Sequence, residues 1–340
     1  MSEDLTPTIS VQEISIQELF SEISDVTVVY NDPPWEALSQ VLPTPTLAIS
    51  AWNMDIEHLE EIASTTHATS TVVGVGGGTA LDTAKFLAWK HGSTLIQVPT
   101  ITSVDAGFTD AIGVRVNGNV QYVGKIMPKM VVLDIPLIRS APKHLNRAGV
   151  GDILSCHTGL FDWKLAIDAK QEDRWSENLY ALGSSLLDEL EAAIGDIGAV
   201  TESGVRFVAD AYRRIGAACA VAGHSRFEEG SEHFLVYALE HATGDHYVHG
   251  EVVAMGVTAM ASVQGNDVDR VRKIVSLSGV RANPLDIGVS QQQFFESLKS
   301  LAEYTTREKL DYSIVNTHDI TESEISAAWH VVTSLPRVNI

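Results

Sequence analysis

Apolar runs and helical patterns alternate through the first part of the chain. Helical periodicity at 54–65 and 79–91 separates runs that are rich in β-branched residues. These runs predict β-strands at 27–31, 46–50, 70–75, 94–98 and 130–134. The runs are apolar throughout instead of alternating with polar residues, which is typical of strands buried on both faces. The pattern therefore predicts an α/β domain built on a parallel sheet.

The later part of the chain consists of long stretches with helical periodicity. They predict helices at 144–169, 175–194, 204–223, 229–242, 250–263, 266–278, 291–304 and 322–334. We therefore expect a Rossmann-like, dinucleotide-binding α/β domain over residues 1–140 and an all-α domain over residues 141–340. Because ligand sites favour domain interfaces, we expect the site in the cleft between these domains.

The charge balance excludes some partners. The 340 residues include 23 basic and 44 acidic side chains, which give a formal net charge of −21. Binding to nucleic acid or to an anionic membrane surface depends on clustered Lys and Arg, so we expect neither. No apolar run approaches the ~20 residues of a membrane span. The N-terminus, MSEDLTPTIS, is acidic and polar, unlike a signal or transit peptide, which predicts a cytoplasmic protein.

A glycine cluster, GVGGGTALDTAK at 74–85, follows a predicted strand and opens a predicted helix. Gly76, Gly77 and Gly78 let the backbone turn sharply and approach a ligand closely. The N–H groups and dipole of the helix that follows suit a pyrophosphate. The spacing is not GxGxxG, and the Gly-Lys-Ser/Thr of a P-loop is missing. A tight strand–helix turn with no ligand remains the alternative interpretation.

The loop VPTITSVDAGFTDA, at 98–111, places hydroxyls around Asp105 directly after another predicted strand. The hydroxyl-bearing residues are Thr100, Thr102, Ser103 and Thr109. Ligands bind at the carboxyl ends of parallel strands, so this loop and the glycine cluster would face the same crevice. The alternative is that these are solvated turn residues.

Histidines are concentrated in one segment. Four of the 12 lie within residues 231–251, namely His233, His241, His246 and His249. A metal site, a proton relay and a polar helix end each explain such a cluster. The two cysteines, Cys156 and Cys219, form no CxxC motif, so a metal here must be held by histidines and carboxylates.

Asp152 precedes an amphipathic stretch, where helix capping alone would explain an aspartate. His233 has apolar neighbours, and a lone histidine of this kind is more often a core residue than a ligand. Together with His249, however, they can supply one carboxylate oxygen and two imidazole nitrogens to a divalent ion and leave a position open for substrate. Such ligands suit Zn²⁺, and Fe²⁺ is also compatible.

Five motifs occur in order along the chain: GGGTALDTAK, PTITSVDAGF, GVGDILS, SEH and HGEVVAMG. Together they resemble the superfamily of glycerol dehydrogenases, iron-containing alcohol dehydrogenases, sn-glycerol-1-phosphate dehydrogenases and 3-dehydroquinate synthases. The similarity spans residues 70–260 and is closest to the sn-glycerol-1-phosphate dehydrogenase branch.

The resemblance implies a role for each motif. The metal ligands of the family match Asp152, His233 and His249. The positions that hold the NAD(P) pyrophosphate match Gly76, Gly77, Gly78 and Asp82. The positions that line the nicotinamide side match Thr100, Ser103 and Thr109. Asp105 matches an aspartate that touches substrate hydroxyls.

Some positions depart from the family. The glycerol-1-phosphate branch usually has a His where this chain has Val104, and many relatives carry a second His at Tyr237. Dehydroquinate synthases carry Ala-Glu where Gly151-Asp152 stands, which disfavours a synthase. No Lys or Arg lies around 50–53, where side chains near the adenine ribose are expected, and this leans toward NAD over NADP.

The resemblance implies a metal-dependent alcohol dehydrogenase that transfers hydride reversibly between NAD(P) and a small polyol or polyol phosphate, such as dihydroxyacetone phosphate or glycerol. Zn²⁺ would act as a Lewis acid on the reacting hydroxyl, and the proton would leave through Tyr237 or His246. Lys125 and Lys129 are candidates for a substrate phosphate or a solvated surface pair. We expect a homo-oligomer. A carbocycle-forming sugar-phosphate cyclase and a non-catalytic nucleotide-binding relative are the alternatives.

Overall fold

The computed structural model describes residues 9–338. The first eight residues of the N-terminus, on which the predicted cytoplasmic location rests, lie outside the described residues. Two compact units are present. The first extends to Pro142 and also includes Tyr212–Gly223, and the second comprises Lys143–Ala211 and the described residues from His224 onward. Within residues 9–338, no helix combines the length and the apolar character needed to cross a membrane.

The first unit is an α/β fold. Its strands are β1 (Ser10–Gln12), β2 (Val26–Tyr30), β3 (Leu47–Ser50), β4 (Thr71–Gly76), β5 (Thr94–Pro99), β6 (Ala111–Val116), β7 (Asn119–Lys125) and β8 (Met130–Val132). Its helices are α1 (Ile16–Glu22), α2 (Pro34–Leu38), α3 (Ile56–Thr65), α4 (Gly78–His91) and α5 (Ile135–Ser140). Six strands form one sheet in the order β1-β8-β5-β4-β2-β3, and every pair in it is parallel.

Both faces of this sheet are buried, as the unbroken apolar runs predict. Val28 and Val73 belong to a core that also contains residues of α1 and α2. Their neighbours Val29 and Val72 belong to a second core, which contains residues of α3 and α4. Successive side chains of a strand point to opposite faces, so a strand with a core on each side is expected to be largely apolar along its whole length. The predicted parallel α/β architecture is therefore confirmed.

An antiparallel hairpin, β6–β7, is an addition that the apolar runs do not predict. Asn117 and Gly118 connect its strands, and both have positive φ values, 52° and 77°. Such a two-residue turn matches the twist of a hairpin. Ile112 and Val114 alternate with less buried residues and pack into the core beside α4.

The second unit contains only helices in its described residues, apart from one short 3-10 turn. They are α6 (Lys143–Arg147), α7 (Val150–Leu154), α8 (Cys156–Asp168), α9 (Glu177–Ala199), α10 (Glu202–Ala222, whose second half, from Tyr212 onward, belongs to the first unit), α11 (Ser231–Thr243), α12 (His249–Gln264), α13 (Val268–Ser278), α14 (Pro284–Ile287), α15 (Gln291–Glu308) and α16 (Glu322–Thr333). Residues 250–261 of α12 are all buried, which makes it the central helix of this unit. The single helix predicted over 144–169 is instead three, α6, α7 and α8.

Candidate functional site

Three side chains that are far apart in the sequence converge in the second unit. Asp152 lies on α7, His233 in the first turn of α11, and His249 at the start of α12. One ligand atom from each lies within 4.8 Å of the other two, and Asp152 Oδ1 is 3.3 Å from His249 Nε2. Asp152 and His233 are 3% and 6% exposed, whereas the His249 side chain is 32% exposed. The group is therefore buried on one side and accessible at His249.

Glycines bring the helices that carry these side chains close together. A Cβ added to Gly151 would lie 2.3 Å from the carbonyl oxygen of Gly250, and one added to Gly256 would lie 2.8 Å from that of Glu232. Only glycine permits such short approaches. Asp152 lies inside α7, whose N-cap is Gly149, so the alternative that Asp152 is an N-cap is wrong.

The electrostatic environment of the three side chains favours a cation. Burial lowers the pKa of His233, but its hydrogen bond with Glu232 and the nearby charges of Glu229 and Asp152 raise it further, to about 10. Burial also lowers the pKa of His249, and Asp152 more than offsets this, so that the pKa is raised. Acids thus impose a negative potential on two imidazoles.

The residues present fit a divalent transition ion. One carboxylate oxygen and two imidazole nitrogens are the ligand types that Zn²⁺ and Fe²⁺ accept, whereas Mg²⁺ prefers oxygen alone. The negative potential would stabilise the ion, and the exposed side at His249 would leave room for a further ligand.

The raised pKa of His233 predicts a pH dependence of the metal-free protein. Its folded-state pKa of about 10 exceeds the value of 6.5 that is usual for histidine, so this group stabilises the fold fully below pH 6.5, and the contribution is lost as pH rises toward 10. Chelator-treated protein should therefore melt several degrees lower at pH 9 than at pH 7.

Bound metal should make the unfolding temperature depend less on pH, because the imidazoles that bind the metal are already deprotonated. Thermal unfolding at both pH values, with chelator and with added Zn²⁺, measures the difference. The raised pKa of Glu251, about 7, also contributes to the pH dependence near pH 7, but it contributes with and without metal and therefore does not affect the difference between the two slopes. Equal slopes with and without metal would contradict the prediction.

The two candidates for a proton relay lie in different environments. The ring of Tyr237 is 6.1 Å from that of His233, and its hydroxyl donates a 2.5 Å hydrogen bond to Glu229 Oε1. His246 is exposed in the connection between α11 and α12. His241, another histidine of the cluster, is exposed and packs on Tyr304. Of the histidine cluster, only His233 and His249 meet.

Two acids near the three side chains were not singled out from the sequence. Glu232 is fully buried, and its Oε1 accepts a hydrogen bond from His233 Nδ1 at 2.9 Å. Glu229 accepts from Tyr237 and also, through Oε2, from the hydroxyl of Ser225 at 2.6 Å. The adjacency of Glu232 and His233 in the sequence was visible, but it does not show that their side chains meet.

The glycine cluster forms a sharp turn in the first unit. β4 ends at Gly76, Gly77 is the N-cap of α4, and no side chain caps that helix end. Gly76 has a φ of 154°, and an added Cβ would lie 2.4 Å from Asn31 Oδ1. The same oxygen accepts the Gly77 N–H at 3.0 Å. Asn31, which the sequence interpretation missed, therefore fixes the shape of the turn.

The loop after β5 adjoins this turn, as the sequence predicts. Thr100 N–H donates to the Gly76 carbonyl at 3.0 Å, and added Cβ atoms at Gly77 and Gly78 would lie 2.9 and 3.0 Å from Ile101 and Val104. The polar candidates of this loop are buried or half-buried, namely Thr100, Ser103, Thr109 and Asp105, which starts a 3-10 turn. The two loops thus occupy one edge of the sheet.

A fully buried lysine connects Asp82 with Thr109. Lys85 Nζ lies 3.0 Å from Asp82 Oδ1, donates to Thr109 Oγ1 at 2.9 Å and to the Ala111 carbonyl at 2.8 Å. These contacts attach the loop to α4, so Asp82 and Thr109 have a structural function whether or not they touch a ligand. Lys85 was not singled out from the sequence, because lysines are seldom fully buried.

Comparison with known proteins identifies relatives. Residues 36–142 match a family model described as iron-containing alcohol dehydrogenase. A glycerol-1-phosphate dehydrogenase, NAD(P)+, of Pyrobaculum neutrophilum is 34% identical over 77% of this chain and 78% of its own. An enzyme of the same name from Thermoplasma volcanium is 29% identical over 82% of each chain.

Solved structures of two glycerol dehydrogenases have a fold similar to that of this chain. A probable glycerol dehydrogenase from Sinorhizobium meliloti superposes with a TM-score of 0.73 at 19% identity, covering 96% of both chains. Glycerol dehydrogenase from Schizosaccharomyces pombe gives a TM-score of 0.67 at 20% identity, covering 97% of this chain and 89% of that one. At this identity, the likeness concerns the fold alone.

Proposed function

The chain belongs to the glycerol-1-phosphate dehydrogenase family, and on that premise we propose that it transfers hydride reversibly between NAD(P) and the carbinol carbon of a small polyol phosphate. The observation that carries the proposal is the convergence of Asp152, His233 and His249 within 4.8 Å. A purely structural role for these residues does not require a carboxylate and two imidazoles to converge, whereas a metal-dependent alcohol dehydrogenase requires such a set of ligands.

The first unit would hold the dinucleotide. Gly76 ends β4, and the half-buried Gly77 and Gly78 lie at the uncapped N-terminus of α4, where the N–H groups of the first turn and the helix dipole favour a pyrophosphate. Asp82, through Lys85, keeps Thr109 and its loop in place. Thr100 and Ser103 would line the nicotinamide side. NAD(P), when bound, supplies the hydride acceptor or donor.

The second unit would hold the reacting oxygen. Asp152, His233 and His249 would bind Zn²⁺ or Fe²⁺, which when bound supplies Lewis acidity to the reacting carbon–oxygen group. Asp105, which belongs to the first unit, would contact a substrate hydroxyl, as the resemblance implies. Tyr237 and Glu229, joined by a 2.5 Å hydrogen bond, would carry the proton, and the partial exposure of Glu229 gives that route access to solvent. His246, the other relay candidate, is exposed.

We propose a phosphorylated substrate because the relatives are named glycerol-1-phosphate dehydrogenases. Lys125 is exposed and pairs with Asp110 at 3.5 Å, and Lys129 is exposed as well. This supports the surface-pair interpretation of these two lysines. Cytoplasmic location and homo-oligomeric assembly are also proposed, and cell fractionation and light scattering would test them.

A substrate panel tests the function. Purified protein with added Zn²⁺ should oxidise NAD(P)H stoichiometrically with dihydroxyacetone phosphate, at a kcat/KM at least ~10-fold above that for dihydroxyacetone, since a hydrogen bond to a charged phosphate is worth about 1.5–3 kcal/mol. The absorbance of NAD(P)H measures turnover with each cofactor. A sugar-phosphate cyclase would consume substrate without net change in absorbance. Absence of NAD(P)H oxidation with every polyol and polyol phosphate would overturn the proposal.

A further inference from the structure

We propose that Glu232 is a positioning residue that fixes the tautomer of His233 and thereby presents the Nε2 atom of that ring to the metal ion. The inference rests on the proposed metal centre. It adds a role for a side chain that is not one of the three converging ligands.

The hydrogen bond between the two side chains defines the tautomer. Glu232 Oε1 lies 2.9 Å from His233 Nδ1. A carboxylate can only accept, so the proton of this bond resides on Nδ1. In a neutral imidazole the lone pair then lies on Nε2, which is the atom left to bind a cation. Metal-bound histidines commonly donate their other N–H to a carboxylate in this way, and the contact also fixes the orientation of the ring.

The carboxylate of Glu232 is itself held in place. Its Oε1 also accepts the backbone N–H of Gly230 at 2.6 Å, and the residue is fully buried. Glu232 lies in the first turn of α11, where the helix dipole stabilises a negative charge. Because the same oxygen of Glu232 accepts from a backbone N–H and from the His233 ring, the carboxylate has little freedom to move away from His233.

A second buried acid at the same helix end provides a matched control. Asp162 is fully buried, and its Oδ2 accepts the Ser231 N–H at 2.7 Å while Oδ1 accepts the Ile314 N–H at 2.8 Å. An added Cβ at Gly230 would lie 2.8 Å from Asp162 Oδ2 and 3.1 Å from Glu232 Oε2, so the two acids flank the same residue. Asp162 shares the burial and the helix end, but its hydrogen bonds go to backbone N–H groups and not to His233.

Metal affinity of the cofactor-free protein tests the role. Competition with a chromophoric chelator should show that Glu232→Ala weakens Zn²⁺ binding by about 10- to 100-fold. Glu232→Gln, whose amide oxygen can still accept from Nδ1 but carries no charge, should show an intermediate loss. Asp162→Asn should bind Zn²⁺ within about threefold of the unsubstituted protein, because Asp162 makes no hydrogen bond to His233. If the loss in Glu232→Ala came only from a disturbed start of α11, Asp162→Asn should weaken Zn²⁺ binding to a similar extent.

A spectroscopic measurement tests the tautomer without any substitution. In Zn²⁺-loaded protein with nitrogen-15-labelled histidine, His233 should carry its proton on Nδ1 and bind through Nε2. Binding through Nδ1 would overturn the inference, even if Glu232→Ala failed to fold. Unchanged affinity in a folded Glu232→Ala variant would overturn it as well and leave the proposed function intact. If the unsubstituted protein bound no metal, the proposed metal centre would fall, and this inference with it.

Discussion

Replacing either imidazole of the proposed metal centre, in His233→Ala or His249→Ala, is expected to abolish NAD(P)H oxidation. Each substitution removes one of the three converging ligand atoms and leaves Asp152 buried in a negative potential with one imidazole. Loss of Lewis-acid stabilisation worth several kcal/mol corresponds to a fall in kcat of about a thousandfold or more. Metal content per protein chain should fall in parallel, and elemental analysis after dialysis measures it.

His241→Ala is the control for these variants. His241 lies on the same helix, α11, but it is exposed and packs on Tyr304, so this variant should keep metal and activity. Circular dichroism would show that all three variants are folded. Retained metal together with normal turnover in His233→Ala and His249→Ala would refute both the metal centre and the function built on it.

The parts of the fold that the sequence predicts are those whose signal is local. β2, β4, β5 and β8 coincide with apolar runs, because a strand buried on both faces is largely apolar along its length. β3 also coincides with an apolar run, although it lies at the edge of the sheet and is only partly buried. The apolar runs do not predict the hairpin β6–β7, since its strands are only partly buried and carry polar residues between the apolar ones. β1 is only three residues long and offers no periodicity to detect.

The break of the predicted helix at 144–169 has a tertiary cause. Periodicity continues through this stretch, yet α7 is a separate short helix whose Gly151 packs on Gly250 of α12. A contact between residues so distant along the chain leaves no trace in a local pattern. The same contact places Asp152 beside His249, so the irregularity that the pattern misses is the one that brings two candidate ligands together.

The order of the motifs predicts which residues form the candidate metal site, and the structure adds the contacts that position their side chains. Asp152, His233 and His249 were selected through the resemblance, and they converge. Glu232 was not selected, because an acid beside a histidine in the sequence can point anywhere. His246 was selected for its nearness in sequence, but the connection between α11 and α12 leaves it exposed. Side-chain direction, and not residue type, is what sequence reasoning lacked.

Gly151→Ala is expected to lower both the stability and the activity of the protein. The new Cβ would lie 2.3 Å from the Gly250 carbonyl oxygen, and backbone of α12 cannot yield as a flexible side chain can. Overpacking of this kind costs about 1–3 kcal/mol, which should lower the midpoint of thermal unfolding by several degrees. Because Asp152 follows Gly151 and His249 precedes Gly250, separating the two helices also separates two ligands. A displacement of about 1 Å is enough for a loss of activity of roughly 100-fold.

The decisive comparison for this prediction is with Gly195→Ala. Gly195 is exposed in the interior of α9, and an added Cβ there meets no atom within 4 Å. Alanine should therefore stabilise that helix by about 0.5–1 kcal/mol and leave metal affinity and turnover unchanged. If Gly151→Ala behaved like Gly195→Ala in unfolding and in Zn²⁺ binding, the close approach of α7 and α12 would not exist in solution. In that case the geometry that joins Asp152 to His249 would have to be abandoned, because the spacing of these residues in the sequence does not impose it.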